Sequence, residues 1–333
     1  KEIRPLGLFN DYLSLAKEDA ENFFNKSAFV EVPCPACGSE GSDDAFVKYG
    51  FKYVICSDCQ SLFNSPRPTV ENLDDYYRRG KAVQFWGSDF YRVTAEARKE
   101  KLFRPRAELV RDYAEKYLQG RAGTFIDVGS GYGLFYEELC KVSAFNRLVG
   151  IEPSPELAQV CRDKGQETIE KVAEDLNSSD AAGDMAASFE VIEHVFDPLL
   201  FLRGISRVMN EEGLLMFTTL TVSGFDLQVL WDKSNSIFPP HHLNLLSVEG
   251  YKRLIERAGF ELVELSTPGK LDVNIVSNAV EERDDLEVPR FISLILNHKD
   301  EAVREGFQVF LQQNKLSSHI RAVIQKPLSD RLA

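Results

Sequence analysis

Apolar and polar residues alternate along the chain in patterns that change from one region to the next. Residues 10–26 place apolar side chains at helical spacing, which predicts a short amphipathic helix. Helix-forming residues interleaved with aromatics predict a helical linker from about residue 71 to residue 118. Beyond the linker, apolar strand-like runs alternate with helical stretches of about 10 to 15 residues. This alternation predicts an α/β fold, in which helices cover both faces of a mainly parallel sheet.

The C-terminal part of the chain continues this alternation and then departs from it. Residues 247–269 predict a helix, a glycine stop and a strand. A helical insert follows around residues 271–317, and the run SHIRAVIQKP that begins at Ser318 predicts a last strand. We expect the insert either to cover a substrate pocket or to form a subunit interface. The predicted parts of the chain are an N-terminal helix at 1–30, a cysteine-containing module at 31–68, a helical linker or lid at 69–103 and an α/β domain at 104–333.

Four of the six cysteines lie in two Cys-x-x-Cys pairs, at Cys34, Cys37, Cys56 and Cys59. The 18 residues between the pairs match the spacing of a zinc site in which two knuckles bring four thiolates into a tetrahedron. Because all four ligands are then protein thiolates, the sequence predicts a structural zinc ribbon without catalytic chemistry. The alternative interpretation is free or redox-active thiols.

A glycine-rich loop follows the first strand of the α/β region, in the run FIDVGSGYGLF. Gly129, Gly131 and Gly133 stand where a tight turn brings the backbone close to a ligand, because a Cβ atom there would collide with it. Leu134 replaces the third glycine of the dinucleotide-binding pattern, which argues against an oxidoreductase that uses a nicotinamide cofactor. Asp127, at the end of the strand, suits a ligand that carries an ammonium group better than a pyrophosphate.

The next strand ends in Glu152, a position from which a carboxylate can accept both hydrogen bonds of a ribose diol. Together, DVGSGYG and Glu152 resemble the S-adenosylmethionine (SAM)-binding motifs of class I methyltransferases, over roughly residues 104–268. The resemblance implies a Rossmann-like methyltransferase sheet in which Gly129 and Gly131 pack against the methionine part of SAM and Glu152 holds its ribose. It also implies that Asp175, in the run VAEDL, lies near the adenine amino group. The alternative interpretation is a turn that binds no ligand.

The fourth strand runs into the segment FEVIEHVFDP, at the edge of the sheet where ligands bind in such folds. Glu190, Glu193 and His194 are spaced i, i+3 and i+4, so a helical turn there would place all three on one face. Two adjacent histidines, His241 and His242, follow later in the chain. Carboxylates and imidazoles together suit a divalent cation, whereas a histidine alone suits a general base.

The E-x-x-E-H spacing resembles that of a subset of SAM-dependent O-methyltransferases, including those of ubiquinone biosynthesis. It is also similar to the small-RNA 3′-terminal 2′-O-methyltransferases, in which this motif and a later histidine bind a divalent cation. The resemblance implies a second divalent cation at Glu190, Glu193 and His194, with His241 or His242 as a further ligand. A second interpretation has no metal and assigns removal of the hydroxyl proton to His194 or His241. In a third, these side chains have structural roles only.

The run from Cys34 to Pro68 resembles the zinc-binding domain in front of some bacterial methyltransferases, including sugar C-methyltransferases and enzymes associated with polysaccharide synthesis. Sugar C-methyltransferases carry a further large C-terminal domain, for which this chain leaves little room. The expected reaction is therefore O-methylation of a sugar, a glycan or another small hydroxylated metabolite by SN2 methyl transfer. Sugar C-methylation is one alternative, and a non-catalytic zinc-ribbon binding protein on a degenerate scaffold is another.

The net charge and the hydropathy of the chain limit the kinds of binding partner that we expect. The formal charge of −13 repels phosphate backbones, so nucleic acid is a disfavoured partner. No apolar run approaches the ~20 residues that span a bilayer, and the first residues lack the apolar core of a signal peptide. The sequence therefore predicts a cytoplasmic location, no membrane span, and a small-molecule or glycan acceptor.

Overall fold

The computed structural model describes residues 2–118, 123–142, 144–298 and 300–328. Its N-terminal helix α1 spans Leu6–Asn22 and begins earlier than the apolar spacing predicted. An antiparallel ribbon follows, with strands β1 at Ser42–Lys48, β2 at Phe51–Cys56 and β3 at Leu62–Asn64. One cysteine pair precedes β1, and the other lies at the turn between β2 and β3. The ribbon is therefore closed at one end by all four cysteines.

Helices occupy the region in which the sequence predicted them. They are α2 (Val70–Arg79), α3 (Lys81–Phe85), α4 (Tyr91–Arg98) and α5 (Arg104–Leu118). Two π-helical turns, Trp86–Phe90 and Lys99–Phe103, join the last three into one continuous helical run. Such turns bulge a helix and are frequent near functional sites. Buried side chains of α5 share a cluster with Phe125, in the first strand of the main sheet.

The α/β region then alternates strands and helices. In chain order these are β4 (Thr124–Val128), α6 (Leu134–Val142), β5 (Arg147–Ile151), α7 (Pro155–Asp163), β6 (Thr168–Ile169), β7 (Gly183–Phe189), α8 (Pro198–Arg207), β8 (Met209–Leu220), α9 (Phe225–Leu230), β9 (Asn244–Leu245), α10 (Val248–Arg257), β10 (Glu261–Ser266), α11 (Asp272–Glu282), α12 (Arg290–Leu296), α13 (Glu301–Gln313) and β11 (His319–Gln325).

Seven of these strands form one sheet, in the order β10-β11-β8-β7-β4-β5-β6. The pairs from β8 to β6 are parallel, whereas β11 is antiparallel to both of its neighbours. Phe125 and Ile126 point to opposite faces of β4 and are both fully buried, because helices cover both faces. The predicted fold class, an α/β fold whose Rossmann-like sheet has helices on both faces, is confirmed. The strand order reverses between β4 and β7, and ligands bind beyond the carboxyl ends of strands at such a point.

The ribbon is continuous with the α/β region. Strand β9, from the α/β region, pairs antiparallel with β3 and completes a four-stranded sheet in the order β1-β2-β3-β9. Val54 and Phe63 of the ribbon share one buried cluster with Leu254 and Ile255 of α10. A ribbon of this size has little core of its own, so this shared cluster supplies apolar burial that it lacks.

Helices α11, α12 and α13 form the helical insert between β10 and β11. Their buried side chains share a small cluster with α9, formed by Leu230, Val273, Val276, Leu296 and Leu311. Phe291 and Leu294 of α12 point away from that cluster and are 66% and 64% exposed. Over the described ranges, no helix combines the length and the apolar character needed to cross a membrane.

Candidate active site

The glycine loop lies at the carboxyl end of β4. Gly129, Gly131 and Gly133 all have left-handed backbone angles, with φ of +80°, +55° and +67°. A Cβ atom on Gly129 would lie 2.6 Å from Val191 Cγ2, so that residue has no room for a side chain. A Cβ atom on Gly131 would meet nothing within 4 Å. Gly131 therefore faces open space and presents bare backbone to it.

Glu152 joins the end of β5 to this loop. Its carboxylate is buried, and Oε2 accepts a hydrogen bond from the Gly131 N–H at 2.7 Å, while Oε1 accepts one from the Ser154 N–H at 2.9 Å. Burial raises the pKa of Glu152 although both N–H groups favour its charged form. Each carboxylate oxygen has two lone pairs, so both atoms keep capacity for a further donor.

Asp127 is the least satisfied polar group of the loop. Its side chain is 4% exposed, and Oδ2 has no hydrogen-bond partner within the part of the chain that the structure describes. Burial, and then the charge of Glu152, raise the pKa of Asp127 to about 7. An unpaired buried carboxylate is costly unless a cation accompanies it. This atom therefore fits the ammonium group of an amino-acid ligand.

Asp175, which the family resemblance placed near the adenine amino group, lies outside the glycine loop in a separate segment of the chain. It ends a short 3-10 helix, Ala173–Asp175, between β6 and β7, and its side chain is exposed. Among the described residues, no hydrogen bond joins it to Gly131 or Glu152. Its predicted contact with adenine stays a prediction.

The segment after β7 is a turn, and α8 begins only at Pro198. Glu190 has a φ of +58°, an unusual angle for a residue with a side chain. This angle interrupts helical geometry at Glu190, so the spacing rule that would place the three side chains on one helical face does not apply. The prediction that Glu190, Glu193 and His194 share one face required a helical turn that includes Glu190. The structure does not have that turn.

Glu190 instead meets residues that come from three other elements. Its Oε1 atom accepts hydrogen bonds from Arg106 Nη2 at 2.8 Å, from Thr218 Oγ1 at 2.7 Å and from His319 Nε2 at 2.9 Å. Burial by itself would raise the pKa of Glu190, but His319 and then Arg106 outweigh it and hold that pKa well below its usual range. Sequence reasoning missed both Arg106 and His319, because neither belongs to a local motif.

Glu193, His194 and His242 form a compact group. Each offers one ligand atom, and these atoms lie within 4.8 Å of one another. Glu193 is 1% exposed and accepts a hydrogen bond from Thr219 Oγ1 at 2.7 Å. Burial, and then the charge of Glu190, raise the pKa of Glu193 to about 8. The group thus contains one carboxyl and two imidazoles, a set that suits a borderline divalent ion.

Both imidazoles of this group are oriented by backbone carbonyls. His194 Nδ1 lies 2.7 Å from the oxygen of His241, and His242 Nδ1 lies 2.6 Å from the oxygen of Ser236. A carbonyl can only accept, so each Nδ1 carries the proton and each Nε2 has a free lone pair. Burial lowers the pKa of His194, and burial with the neighbouring His194 lowers the pKa of His242 to about 3. Both rings are therefore neutral near pH 7.

His241 has a different environment from its neighbour. Its Nε2 atom lies 2.8 Å from the hydroxyl of Tyr76, a fully buried side chain of α2. Burial, and then the other two histidines, lower the pKa of His241 well below its usual value. The structure thus brings His242, and not His241, into the group with Glu193 and His194.

Aromatic side chains from the N-terminal helices line the same region. Tyr91 of α4 stacks on Tyr132 of the glycine loop with ring centroids 4.6 Å apart. The ring of Tyr12, from α1, lies 5.6 Å from that of His241 and 4.8 Å from that of Trp86. The helical segments therefore border both the loop and the histidines.

The four ribbon cysteines also form a compact group. Cys34 Sγ lies 3.5 Å from Cys59 Sγ, and Cys37 Sγ lies 3.5 Å from Cys56 Sγ. All four sulfur atoms lie within 4.8 Å of one another. A tetrahedron of Zn–S bonds of about 2.3 Å separates its sulfur atoms by about 3.8 Å. The cluster therefore fits a zinc site.

Comparisons with known proteins place residues 95–265 in a family. A family model described as a methyltransferase domain matches residues 95–265, just over half of the chain. A ubiquinone biosynthesis O-methyltransferase of Azorhizobium caulinodans is 33% identical over 113 residues, which cover 32% of this chain and 44% of that protein. One of Xanthomonas oryzae pv. oryzae is 32% identical over 128 residues, which cover 36% and 53%. The chain spans about half the length of these curated relatives.

A solved structure is also similar to this chain. The plantazolicin methyltransferase BpumL in complex with SAH aligns with a TM-score of 0.48 and 15% sequence identity, over 78% of this chain and 98% of that one.

Proposed function

The chain belongs to the methyltransferase domain family, and from this premise we propose that it transfers the methyl group of SAM to an oxygen atom of a sugar, a glycan or another small hydroxylated metabolite. The observation that carries the proposal is the unpaired Oδ2 atom of Asp127 beside the open position at Gly131. The names of the two relatives describe O-methyltransferases, which supports oxygen as the accepting atom.

The residues of the loop would hold SAM by its two polar ends. Asp127 fits the ammonium group of the methionine part, and Glu152 keeps lone pairs for the hydroxyls of the ribose. Asp175 is the proposed partner of the adenine amino group. When bound, SAM supplies an electrophilic methyl group on a sulfonium. The protein then has to position a hydroxyl group and remove its proton.

His194 is the first candidate for proton removal. Its Nε2 lone pair is free, because Nδ1–H is donated to the oxygen of His241. The same hydrogen bond fixes the ring and increases its basicity. A neutral imidazole at this place accepts the hydroxyl proton as the methyl group is attacked.

A divalent ion held by Glu193, His194 and His242 is the second candidate, which the short distances among their ligand atoms favour. Such an ion would lower the pKa of a bound hydroxyl. The ligand set differs from the one that the resemblance implied, since it lacks Glu190, and His242 is the one of the two later histidines that joins it. Glu190 is then a partner of Arg106 and His319.

The ribbon cysteines are the proposed ligands of one structural zinc ion. The four thiolates close the coordination sphere, so the ion would stabilise the ribbon and take no part in methyl transfer. Elemental analysis of the purified protein should give one zinc per chain. A Cys37→Ser variant should contain less zinc, whereas Cys140→Ser, which changes an exposed thiol outside the cluster, should retain it.

Calorimetry tests the central proposal. SAM and its product S-adenosylhomocysteine (SAH) should both bind with micromolar affinity. Absence of binding to either compound would remove the enzymatic proposal and leave a binding protein on the same fold.

The two candidates for proton removal differ in a direct measurement. Electron paramagnetic resonance of added Mn²⁺ should show a bound ion if the metal candidate is right, and the His242→Ala variant should lose it. His298→Ala changes an exposed histidine and is the matched control. No bound Mn²⁺ in the wild-type protein, together with methyl transfer that persists in EDTA, would leave His194 as the base.

A further inference from the structure

The ribbon makes polar contacts with the histidine segment of the proposed site. Tyr53, on β2, is fully buried, and its hydroxyl donates a hydrogen bond to the backbone oxygen of His242 at 2.8 Å. This bond joins two residues that are far apart in sequence.

Strand β3 holds the residues that follow His242. The N–H of Asn64 donates to the oxygen of Leu243 at 2.9 Å, and Phe63 pairs with Asn244. On their other side, the N–H groups of Leu243 and Asn244 donate to the backbone oxygen of Glu193 at 3.0 and 3.1 Å. The main chain of this segment therefore lies between the ribbon and Glu193 and is hydrogen-bonded to both.

A second contact runs from the end of the ribbon to the turn that carries Glu193 and His194. Arg67 is fully buried, and its Nε–H donates to the oxygen of Asn64 at 2.8 Å. Its Nη1 atom donates to the oxygen of Phe196 at 2.9 Å. The ribbon is thus hydrogen-bonded to both segments that supply the Glu193, His194 and His242 group.

The ribbon also contacts the loop that orients the imidazole of His242. Lys48 Nζ, at the end of β1, donates to the oxygen of Ser234 at 2.7 Å. Two residues further along, the oxygen of Ser236 accepts the hydrogen bond from His242 Nδ1 at 2.6 Å. Both the backbone oxygen and the ring of His242 are therefore linked to ribbon strands.

We propose that Tyr53 is a positioning residue, and that the ribbon sets the orientation of His242 and the main chain of Glu193 in the methyl-transfer site. The proposal rests on the proposed function for its consequence in turnover, but not for its structural content. It assigns the four-cysteine module a role beyond stability, since any change in the ribbon moves the histidine segment with it.

The Tyr53→Phe variant tests this by removing one hydroxyl group and leaving the ring in place. Tyr136→Phe is the matched control, because the hydroxyl of Tyr136 donates to the backbone oxygen of Leu148 at 2.9 Å, outside the group of Glu193, His194 and His242. The chain has 5 histidines, so a ¹³C-histidine label gives a simple NMR spectrum in which each signal can be assigned with a His→Gln variant. Both variants are measured as full-length, zinc-loaded protein.

The signals of His242 and His194 should move in Tyr53→Phe by more than their line width, while that of His298 stays in place. Tyr136→Phe should move none of the three. The affinity for SAH should be unchanged in both variants, because the glycine loop is not part of this contact. With an accepting substrate in hand, Tyr53→Phe should lower kcat by about tenfold and leave the KM for SAM unchanged, as expected for one lost positioning hydrogen bond.

Histidine signals that coincide in Tyr53→Phe and wild type would overturn the proposal. A shift of the same size in Tyr136→Phe would overturn it too, since the effect would then belong to any lost hydroxyl. A wild-type protein that does not bind SAH contradicts the proposed function alone, because the histidine spectra do not depend on the cofactor.

Discussion

The cofactor half and the acceptor half of the proposed site are built in different ways. The cofactor half consists of the glycine loop 127–133 and Glu152, at the ends of two adjacent parallel strands. The acceptor half consists of Glu190, Glu193, His194 and His242, which other elements surround. A ligand site that arises from one strand, one turn and the neighbouring strand is encoded locally. A site that needs α5, β8, β11 and the ribbon depends on the whole fold.

The two halves also differ in the hydrogen bonding of a carboxylate. Oδ2 of Asp127 has no partner among the described residues, whereas Oε1 of Glu190 accepts three hydrogen bonds. The cofactor half therefore leaves a charge for a ligand to neutralise, and the acceptor half neutralises its own. This difference supports the proposal that Asp127 binds a cationic group of the cofactor, whereas Glu190 is a hydrogen-bond partner of protein side chains.

The largest expected effect concerns the acceptor half. His194→Ala should lower turnover by about 10²- to 10⁴-fold, because it removes the proposed base and one proposed metal ligand. The affinity for SAH, measured by calorimetry, should remain that of the wild type, since the cofactor half is intact. His298→Ala, at an exposed position, is the control and should turn over normally. Wild-type turnover by His194→Ala would place the chemistry elsewhere.

The next effect concerns the cofactor half alone. Gly131→Ala should weaken SAH binding by about 100-fold, because its Cβ atom projects into the open space of the loop. Gly259→Ala is a matched control, since Gly259 also has a positive φ, +82°, and has nothing within 4 Å of an added Cβ. Both variants should lose about 1 kcal/mol of stability from the strained backbone angle. Equal SAH affinity in the two variants would show that the loop does not contact the ligand.

Most of the fold could be predicted from the sequence because its strands are short apolar runs between helical stretches. The last strand, β11, was predicted from the run SHIRAVIQKP and pairs with β8 over its whole length. The pairing of β3 with β9 was not predicted, because β9 is only two residues long and carries no periodic signal. The ribbon was therefore predicted as a separate module, although a strand of the α/β region completes its sheet.

In the site, local sequence motifs predicted the glycine loop correctly, whereas the contacts that depend on the whole fold were missed. The motif predicted a glycine loop at the end of a strand, and Gly129, Gly131 and Gly133 do adopt positive φ angles there. Spacing could not show the direction of Glu190, because its positive φ interrupts the helical geometry that the spacing assumes. His319 was missed for another reason. It contacts Glu190 only because β11 lies antiparallel beside β8, a relation that no run of adjacent residues records.

The third prediction uses the pH dependence of the cofactor half. In the free protein, burial and the charge of Glu152 raise the pKa of Asp127 to about 7, so below that pH its carboxyl carries a proton. A ligand with an ammonium group needs the ionised form, so binding must release this proton. The affinity for SAH should therefore fall by about tenfold per unit as the pH decreases below about 7. Calorimetry between pH 5 and pH 8 measures this, with the Asp127→Asn variant as the control.

In Asp127→Asn the affinity should be weaker at pH 8 and nearly independent of pH. The same slope in this variant and in the wild type would assign the proton to another group. His242 should not contribute, because burial, and then the neighbouring His194, lower its pKa to about 3 and its ring stays neutral across this range.

The smallest effects are on stability, and they should have opposite signs in the two halves. Asp127→Asn should stabilise the protein by about 1 kcal/mol at pH 8, because it removes an unpaired buried charge. Glu190→Gln should destabilise it by about 1 kcal/mol, a figure kept small because the Glu190 side chain is 35% exposed and solvent screens its ion pair. Thermal unfolding of both variants and the wild type at several pH values provides the measurement.

The pH dependence of these two changes follows from the direction of each pKa shift. The folded-state pKa of Asp127 lies above its unfolded value, so between about pH 7 and pH 4 the native state retains a proton that the unfolded chain loses. The stabilisation of the protein by Asp127→Asn should therefore shrink as the pH falls from about 7 towards about 4. The folded-state pKa of Glu190 lies below its unfolded value, so its contribution is present above about pH 4 and is lost only as the pH falls further. If both variants changed stability in the same direction at pH 8, the contrast between an unpaired and a paired carboxylate would be wrong.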